Sequence, residues 1–351
     1  MTPKPARLVA LATAVPPHRL YQADVAARAR GLFAAMSPGE IDRLMPVFAR
    51  AGIERRFSCM PIEWYERPHG WVERNALYRT HALLLLEAAA RDAMRKARLA
   101  PGDIDAIVCV STTGIATPSL DAELIGRLGL PADVRRLPFF GLGCAGGVIG
   151  LARAAEMARG APQERVLFLV VELCALSFRK DDVSKSNLVA AALFGDGAAA
   201  AILSCSGAGP ALGTAGEYTW PNSLDIMGWE VAADGLKPIF SRDIPALVQR
   251  EFRAAATAFL AREKLHFPDI AHFVCHPGGA KVLSALEAAF ELPAGALGPA
   301  RAVLRDYGNM SAATVLFVLE RKLAAGACGP MLLTALGPGF SAGFQLLDTA
   351  Q

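Results

Sequence analysis

Residues 141–159 read GLGCAGGVIGLARAAEMAR, and a short polar turn later residues 166–171 read VLFLVV. The first stretch is a glycine-rich corner running into an alanine-rich helical segment. The second is a β-branched and aromatic run, short enough to be one buried strand. The same alternation extends both ways along the chain. Leu8 to Ala14, Ala106 to Ser111 and Ala198 to Leu203 also read as strands, and Tyr78 to Arg98, Asp121 to Leu128 and Gly147 to Arg159 as helices. Beyond the turn-rich segment Ser206 to Gly213 the series resumes with a helix from Ile244 to Lys264, a strand at Ala271 to Cys275, helices near Ala280 to Phe290 and Ser311 to Ala324, and a strand at Met331 to Leu336. Short buried strands alternating with longer helices predict an α/β protein with covered sheets. The turn-rich segment predicts two halves, residues 1–205 and 206–351. The second half repeats the element order of the first loosely, without a residue-level repeat. Residues Ala29 to Gly70 fit neither period. They carry Arg43, Arg50, Arg55, Arg56, Trp64 and Tyr65, and are read as helices and loops laid over the core.

Composition narrows the function classes. With 53% apolar and 20% charged residues in 351, the chain can bury a sizeable core. Its net charge of +3 comes from scattered basic residues, which excludes the basic tract of a nucleic-acid binder but leaves room for a local patch facing a small anion. Seven cysteines are too sparse for a disulfide framework, and none has zinc-ligand spacing, so a reducing, cytoplasmic setting is expected without a metal. The apolar run Leu8 to Leu11 is too short for a signal peptide and reads as a first strand. No run reaches the ~18 apolar residues that span a bilayer; the longest, Val166 to Phe178, is interrupted by Glu172.

Three polar residues stand at glycine-flanked junctions. Cys144 precedes the helix that starts after Gly146-Gly147, where unpaired N–H groups and the helix dipole stabilise a thiolate. Its bland reading is a small buried hydrophobe. His276 ends the run Phe273-Val274-Cys275 and precedes Pro277-Gly278-Gly279, at a strand end where functional side chains project; a structural histidine is the alternative. Asn309, in Tyr307-Gly308-Asn309-Met310-Ser311, stands before a helix and reads equally as a cap. Together they supply a soft nucleophile, an imidazole and a non-titrating oxyanion donor, the set that thioester condensation requires.

The segments Gly143-Cys144-Ala145-Gly146-Gly147, His276-Pro277-Gly278-Gly279, Tyr307-Gly308-Asn309-Met310-Ser311 and Gly337-Pro338-Gly339 resemble the signature of type III polyketide synthases, the chalcone synthase-like family. The resemblance runs from about residue 5 to the end. It implies a thiolase-like, five-layered αβαβα fold made of two similar halves, the first carrying the cysteine and the second the histidine and asparagine. It also implies a homodimer, a cis bond before Pro118 that lets Thr117 reach the partner's cavity, and no cofactor beyond the coenzyme A thioesters that serve as substrates. Cys144 is then the acyl carrier, and His276 and Asn309 the donors to the enolate of malonyl-CoA. Phe194, in Phe194-Gly195-Asp196-Gly197, resembles the family's gatekeeper. Thr112, Thr113, Thr117, Cys174, Ser177, Gly228 and Ser311 fall at its cavity-lining positions, with Gly337, Pro338 and Gly339 beside them. Arg43 and Arg50 fall at two of its basic coenzyme A positions, Gly278 and Gly279 beside the same tunnel, and Pro46 replaces a third cation.

Two departures bear on substrate. Ala335-Leu336 replaces the plant Gly-Phe, and Pro238 falls where chalcone synthases have a second gatekeeping Phe. The small Cys174 is similar to bacterial members that take medium- or long-chain fatty acyl starters and close pyrones or resorcinols. Two rival readings stand beside this one: a β-ketoacyl-ACP synthase III, which needs a carrier protein, and a non-catalytic acyl-binding scaffold. Starter, number of extensions and ring closure stay open.

Overall fold

The computed structural model describes residues 4–32, 37–241 and 243–350. Thirteen strands are found among them: β1 Ala6–Ala14, β2 His18–Tyr21, β3 Arg55–Ser58, β4 Ala106–Val110, β5 Arg135–Phe139, β6 Arg165–Leu173, β7 Asp196–Ser204, β8 Ala211–Thr219, β9 Met227–Ala232, β10 Gly235–Phe240, β11 His272–Cys275, β12 Pro330–Gly337 and β13 Ser341–Asp348. Nine of them join in the order β11-β12-β13-β8-β1-β7-β6-β4-β5. The two halves of this sheet meet only where β1 pairs with β8 through Ala6↔Leu212 and Arg7↔Ala211.

That narrow seam lets the sheet fold over a middle layer. The helix Gly146–Gly160 touches β4, β6 and β7 on one side and β8, β12 and β13 on the other. Its run of Gly and Ala makes this possible. A Cβ on Gly147 would lie 2.1 Å from the Ala312 carbonyl oxygen, and one on Gly150 2.6 Å from Val110; overpacking of this kind costs about 1–3 kcal/mol. The second middle helix, Thr314–Ala324, bridges β11 and β12 to β1 and β7. Outside the first sheet lies Trp71–Ala97, which buries Tyr78, Ala82, Leu86, Ala89 and Ala93, one stripe of a 3.6-residue period. Outside the second, Phe252 and Phe259 stack on Phe344 of β13, while the adjacent Gly343 faces Ile149 of the middle helix. The layers are helix, sheet, helix, sheet, helix, as the resemblance implies.

Most expected elements are present within a few residues. The helix expected at Ile244 to Lys264 is Ile244–Leu247 and Arg253–Arg262 joined by a π turn over Val248–Phe252. That expected at Ser311 opens as a 3-10 turn, Ser311–Ala313. The stretch 29–70 does hold short helices, Pro38–Leu44 and Pro46–Arg50, but also β3, which pairs with β2 and was not expected; residues 33–36 lie outside the described residues. The segment from 206 is not all turn, since β8 starts at Ala211. The Thr117–Pro118 bond is cis.

Candidate active site

Cys144 occupies a 3-10 turn, Gly143–Ala145, between the end of β5 and the middle helix. The turn needs positive φ at Gly141 (+93°) and Gly143 (+48°), values that favour glycine. Gly143 donates its N–H to Thr112 Oγ1 at 3.1 Å. A Cβ on Gly143 would lie 2.5 Å from Pro338 Cδ, and one on Gly337 2.5 Å from the Leu142 carbonyl oxygen. Gly337 and Pro338 thus interlock with the cysteine turn from behind, while Gly339 turns the chain (φ +114°) toward Ser341 and Thr219.

His276 follows β11, whose Cys275 pairs with Thr334 of β12. Its side chain is 4% exposed, and neither ring nitrogen has a hydrogen-bond partner. Asn309 is held by its backbone: its N–H donates to the Leu193 carbonyl at 2.8 Å, and its carbonyl accepts from Gly195 N–H at 3.0 Å. Its Oδ1 accepts from Ser311 N–H at 2.8 Å, and Nδ2 donates to the Gly278 carbonyl at 3.2 Å. This pairing fixes the amide's orientation and leaves the second Nδ2 hydrogen without a protein acceptor among the described residues.

Cys144, His276 and Asn309 line one cavity of about 370 Å³. Arg43, Arg50, Gly278 and Gly279 line it as well, so the expected catalytic and coenzyme A residues converge. The electrostatics differ from the expectation. Burial pushes the Cys144 thiol up to about 12, against a smaller opposing pull from a hydrogen bond to the Ser311 side chain, and burial takes the His276 imidazole down to about 3. Desolvation disfavours the charged form of both groups. Burial therefore argues against the expected standing thiolate and for a neutral thiol and a neutral imidazole at rest.

The expected cavity-lining set is divided rather than shared. Cys174, Ser177 and Phe194 line a separate, narrow apolar slot of about 60 Å³, walled also by Leu20, Val25 and Ala190. Phe194 packs on Phe240, a wall residue of the catalytic cavity, with ring centroids 5.6 Å apart, so one layer of side chains separates the two spaces. Thr113 and Ser177 face a third small depression beside Trp229. Thr112 is buried under the cysteine turn, and Ser311 under Asn309. Thr117 lies on an exposed loop, and Gly228 sits on β9 opposite Ile239 with open space beyond its Cα.

Three residues were missed as site components. Thr334 lines the catalytic cavity with its hydroxyl buried and unpartnered. Its signal was one hydroxyl inside the apolar run MLLTAL. Glu172 is fully buried behind Thr112, whose N–H donates to Oε2 at 3.0 Å, while Oε1 has no partner. Burial pushes its carboxyl up to about 8, although backbone and hydroxyl hydrogen bonds pull the other way. A carboxylate interrupting a buried strand was the visible sign. Lys281 also lines the cavity. Among the described residues no group of three His, Cys, Asp or Glu is arranged to hold a metal ion, and no helix is long and apolar enough to cross a membrane.

The family model for the N-terminal domain of chalcone and stilbene synthases matches residues 2–210, and that for the C-terminal domain matches residues 212–341. The sequence is 40% identical to the 1,3,6,8-tetrahydroxynaphthalene synthase of Streptomyces peucetius subsp. caesius, over 97% of this chain and 92% of that protein. It is 29% identical to the phloroglucinol synthase of Pseudomonas fluorescens, over 93% and 94%. Among solved structures, the 1,3,6,8-tetrahydroxynaphthalene synthase of Streptomyces coelicolor A3(2), a bacterial type III polyketide synthase, superposes with a TM-score of 0.93 at 29% identity, covering 97% of this chain and 99% of that one.

Proposed function

The chain belongs to the type III polyketide synthases, the chalcone and stilbene synthase family of acyltransferases, and from that premise we propose that it extends a medium- or long-chain fatty acyl-CoA starter with malonyl-CoA and closes the product as a pyrone or resorcinol. The observation that carries the chemistry is the convergence of Cys144, His276 and Asn309 on one cavity. In this reading neutral His276 takes the proton of the Cys144 thiol as the sulfur attacks the starter's thioester carbonyl. Coenzyme A leaves with that proton, and the acyl group stays on sulfur. Malonyl-CoA then loses carbon dioxide. The electron pair of the broken C–C bond moves into an enolate whose oxygen accepts from His276 N–H and the spare Asn309 Nδ2 hydrogen. The enolate carbon attacks the acyl carbonyl, a C–C bond forms, and the C–S bond breaks to return the thiolate. No organic cofactor or metal is required by these steps.

Support for an alkyl-bearing starter is the apolar slot behind Cys174 and Phe194. At about 60 Å³ it holds roughly two water-sized bodies, so a longer chain must also occupy the catalytic cavity or displace Phe194. We read the active unit as a homodimer, with Thr117 on its exposed loop and the exposed Ile115 and Phe140 as interface candidates, acting in the cytoplasm where its thioester substrates occur.

A second reading, priming by malonyl-CoA itself, is favoured by the likeness to tetrahydroxynaphthalene synthases. Incubating the enzyme with malonyl-CoA alone, and with malonyl-CoA plus acetyl-, hexanoyl- or palmitoyl-CoA, separates the two by mass spectrometry of the products. The alkyl reading expects starter carbons in the product without any carrier protein. An aromatic product from malonyl-CoA alone, with no incorporation of any acyl starter, overturns it.

A further inference from the structure

The helix Lys185–Leu193 ends against Asn309, and its last turn is held by a residue from a strand far away in sequence. The last four carbonyls of an α-helix have no partner within the helix. Here each finds one outside it. The Ala190 carbonyl accepts from Phe194 N–H at 2.8 Å, and the Leu193 carbonyl from Asn309 N–H at 2.8 Å. The two between them are taken by Arg56 of β3, whose Nη1 donates to the Ala191 carbonyl at 2.6 Å and Nη2 to the Ala192 carbonyl at 3.1 Å. Nη1 also donates to the Phe194 carbonyl at 3.0 Å, and Nη2 to Gln22 Oε1.

The side chain is 3% exposed, and burial pulls its pKa down to about 10, so it remains a cation at neutral pH. A buried cation is costly unless its surroundings compensate it, and the negative end of a helix with three free-standing carbonyls does so. The stem matters as much as the charge. A Cβ on Gly195 and one on Gly308 would each lie 3.3 Å from Arg56 Cβ, and these glycines flank the bridge between Phe194 and Asn309. Arg56 thus backs both sides of that bridge. Its own strand is fixed independently: Cys59 N–H donates to Asp196 Oδ2 at 2.8 Å, and Glu54 N–H to the Arg305 carbonyl at 2.9 Å. Removing the guanidinium therefore frees the helix end while β3 stays tied down.

We propose that Arg56 is a positioning residue for the oxyanion site, holding the end of the helix Lys185–Leu193 so that the Leu193 carbonyl fixes the Asn309 backbone and aims its amide into the catalytic cavity. The proposal rests on the reading of Asn309 as a donor to the malonyl-CoA enolate. It assigns to a residue outside that cavity a share in the geometry of the decarboxylation step.

The test compares Arg56→Met, which removes the donors at similar length, and Arg56→Lys, which keeps the charge but not the fork, with the wild-type enzyme. Arg56→Met should slow decarboxylation of malonyl-CoA about 10- to 100-fold while changing acyl loading from acetyl-CoA less than about twofold, because a displaced donor costs the step that uses it. Arg56→Lys should recover part of the loss, and it carries the test if the methionine variant does not fold. In an Asn309→Ala background, where no amide remains to be aimed, the Arg56 substitutions should slow decarboxylation no further. Equal slowing of loading and decarboxylation, or the same fold-loss with and without Asn309, would mean that Arg56 only supports the fold and overturns the proposal. Hydrogen exchange of the peptide spanning residues 305–311 reads the anchor without turnover, and should speed up at least about fivefold relative to the peptide spanning β6. Faster exchange in a variant whose wild-type parent does not decarboxylate malonyl-CoA would sink the catalytic reading and leave the anchor standing; unchanged exchange in a folded variant would sink the anchor alone.

Discussion

The backbone N–H of His276 donates to the Thr334 carbonyl at 2.8 Å, so the histidine at the end of β11 sits beside the middle of the parallel strand β12, and both residues line the catalytic cavity. The imidazole is placed by the sheet ladder, and no side-chain partner fixes its protonation. Its two nitrogens are free to take a proton from sulfur in one step and to donate to an enolate in the next.

Cys144→Ala should abolish transfer of a radiolabelled acyl group from acyl-CoA to the protein. In a Cys328→Ser background, which removes the exposed cysteine, iodoacetamide should label Cys144 ahead of the five buried ones. Because burial raises the thiol to about 12, the labelling rate should climb steadily between pH 7 and 9. A rate already level at neutral pH would reveal a standing thiolate and contradict the neutral pair.

Asn309→Ala should slow decarboxylation of malonyl-CoA about 100- to 1,000-fold, the usual cost of one oxyanion donor, and slow acyl loading far less. Asn309→Asp keeps an oxygen to accept from Ser311 N–H but loses the amide donor, so it should share the decarboxylation defect while keeping the native fold. Equal slowing of both steps in the aspartate variant would mean that Asn309 only caps the turn at Ser311.

Glu172 makes stability depend on pH. Its folded-state pKa is raised from the ordinary 4.5 to about 8, so its neutral form contributes fully below 4.5, and that contribution is lost as pH rises through about 8. Glu172→Gln keeps the acceptor for Thr112 N–H without a charge. The stability gained by this variant over wild type, measured by urea denaturation, should grow by a few kcal/mol from pH 5 to pH 8. A difference that does not change with pH would show that the carboxyl ionises freely.

Cys174→Phe fills the slot. Cys174 is fully buried against Ala190 and Phe194, and a phenyl ring needs more room than the slot offers. Losing even two buried methylenes' worth of binding, about 0.8 kcal/mol each, should lower kcat/KM for palmitoyl- and hexanoyl-CoA more than tenfold relative to acetyl-CoA. General overpacking would instead depress all three alike, and a well-folded variant with an unchanged chain-length profile would sink the slot as a starter site.

What the sequence made legible follows from how strongly each segment is buried. The strands Val166 to Val171 and Ala198 to Leu203 were plain because they are covered on both faces and read as unbroken apolar runs. β5, with Arg135, Arg136 and Pro138, is an edge strand whose polar side chains hide its period. β8 and the β9–β10 hairpin are half exposed, and Gly213, Gly216 and Gly228 weaken their pattern further. At the site, glycine punctuation gave away Cys144, His276 and Asn309, since tight corners leave a mark on composition. The separation of Cys174, Ser177 and Phe194 into their own slot depends on which way the rings of Phe194 and Phe240 turn, and no spacing in the sequence encodes that. The upward push on the cysteine thiol was not legible because a helix start can be read from glycine and alanine, whereas the depth of the surrounding protein cannot.

The seam between the sheets has a consequence for how the chain is made. β1 leaves the ribosome well before its partners, which are β7, with Arg7 opposite Ser204, and β8, with Ala6 opposite Leu212. At synthesis rates of about 5–20 residues per second, roughly ten to forty seconds pass before either partner emerges. Through that interval both edges of an apolar strand are without their partners, and the first half cannot close on itself. A cell making this protein quickly must therefore shelter β1, and an insertion that delays release of β7 should lower the yield of folded protein more than one of equal size placed after β13.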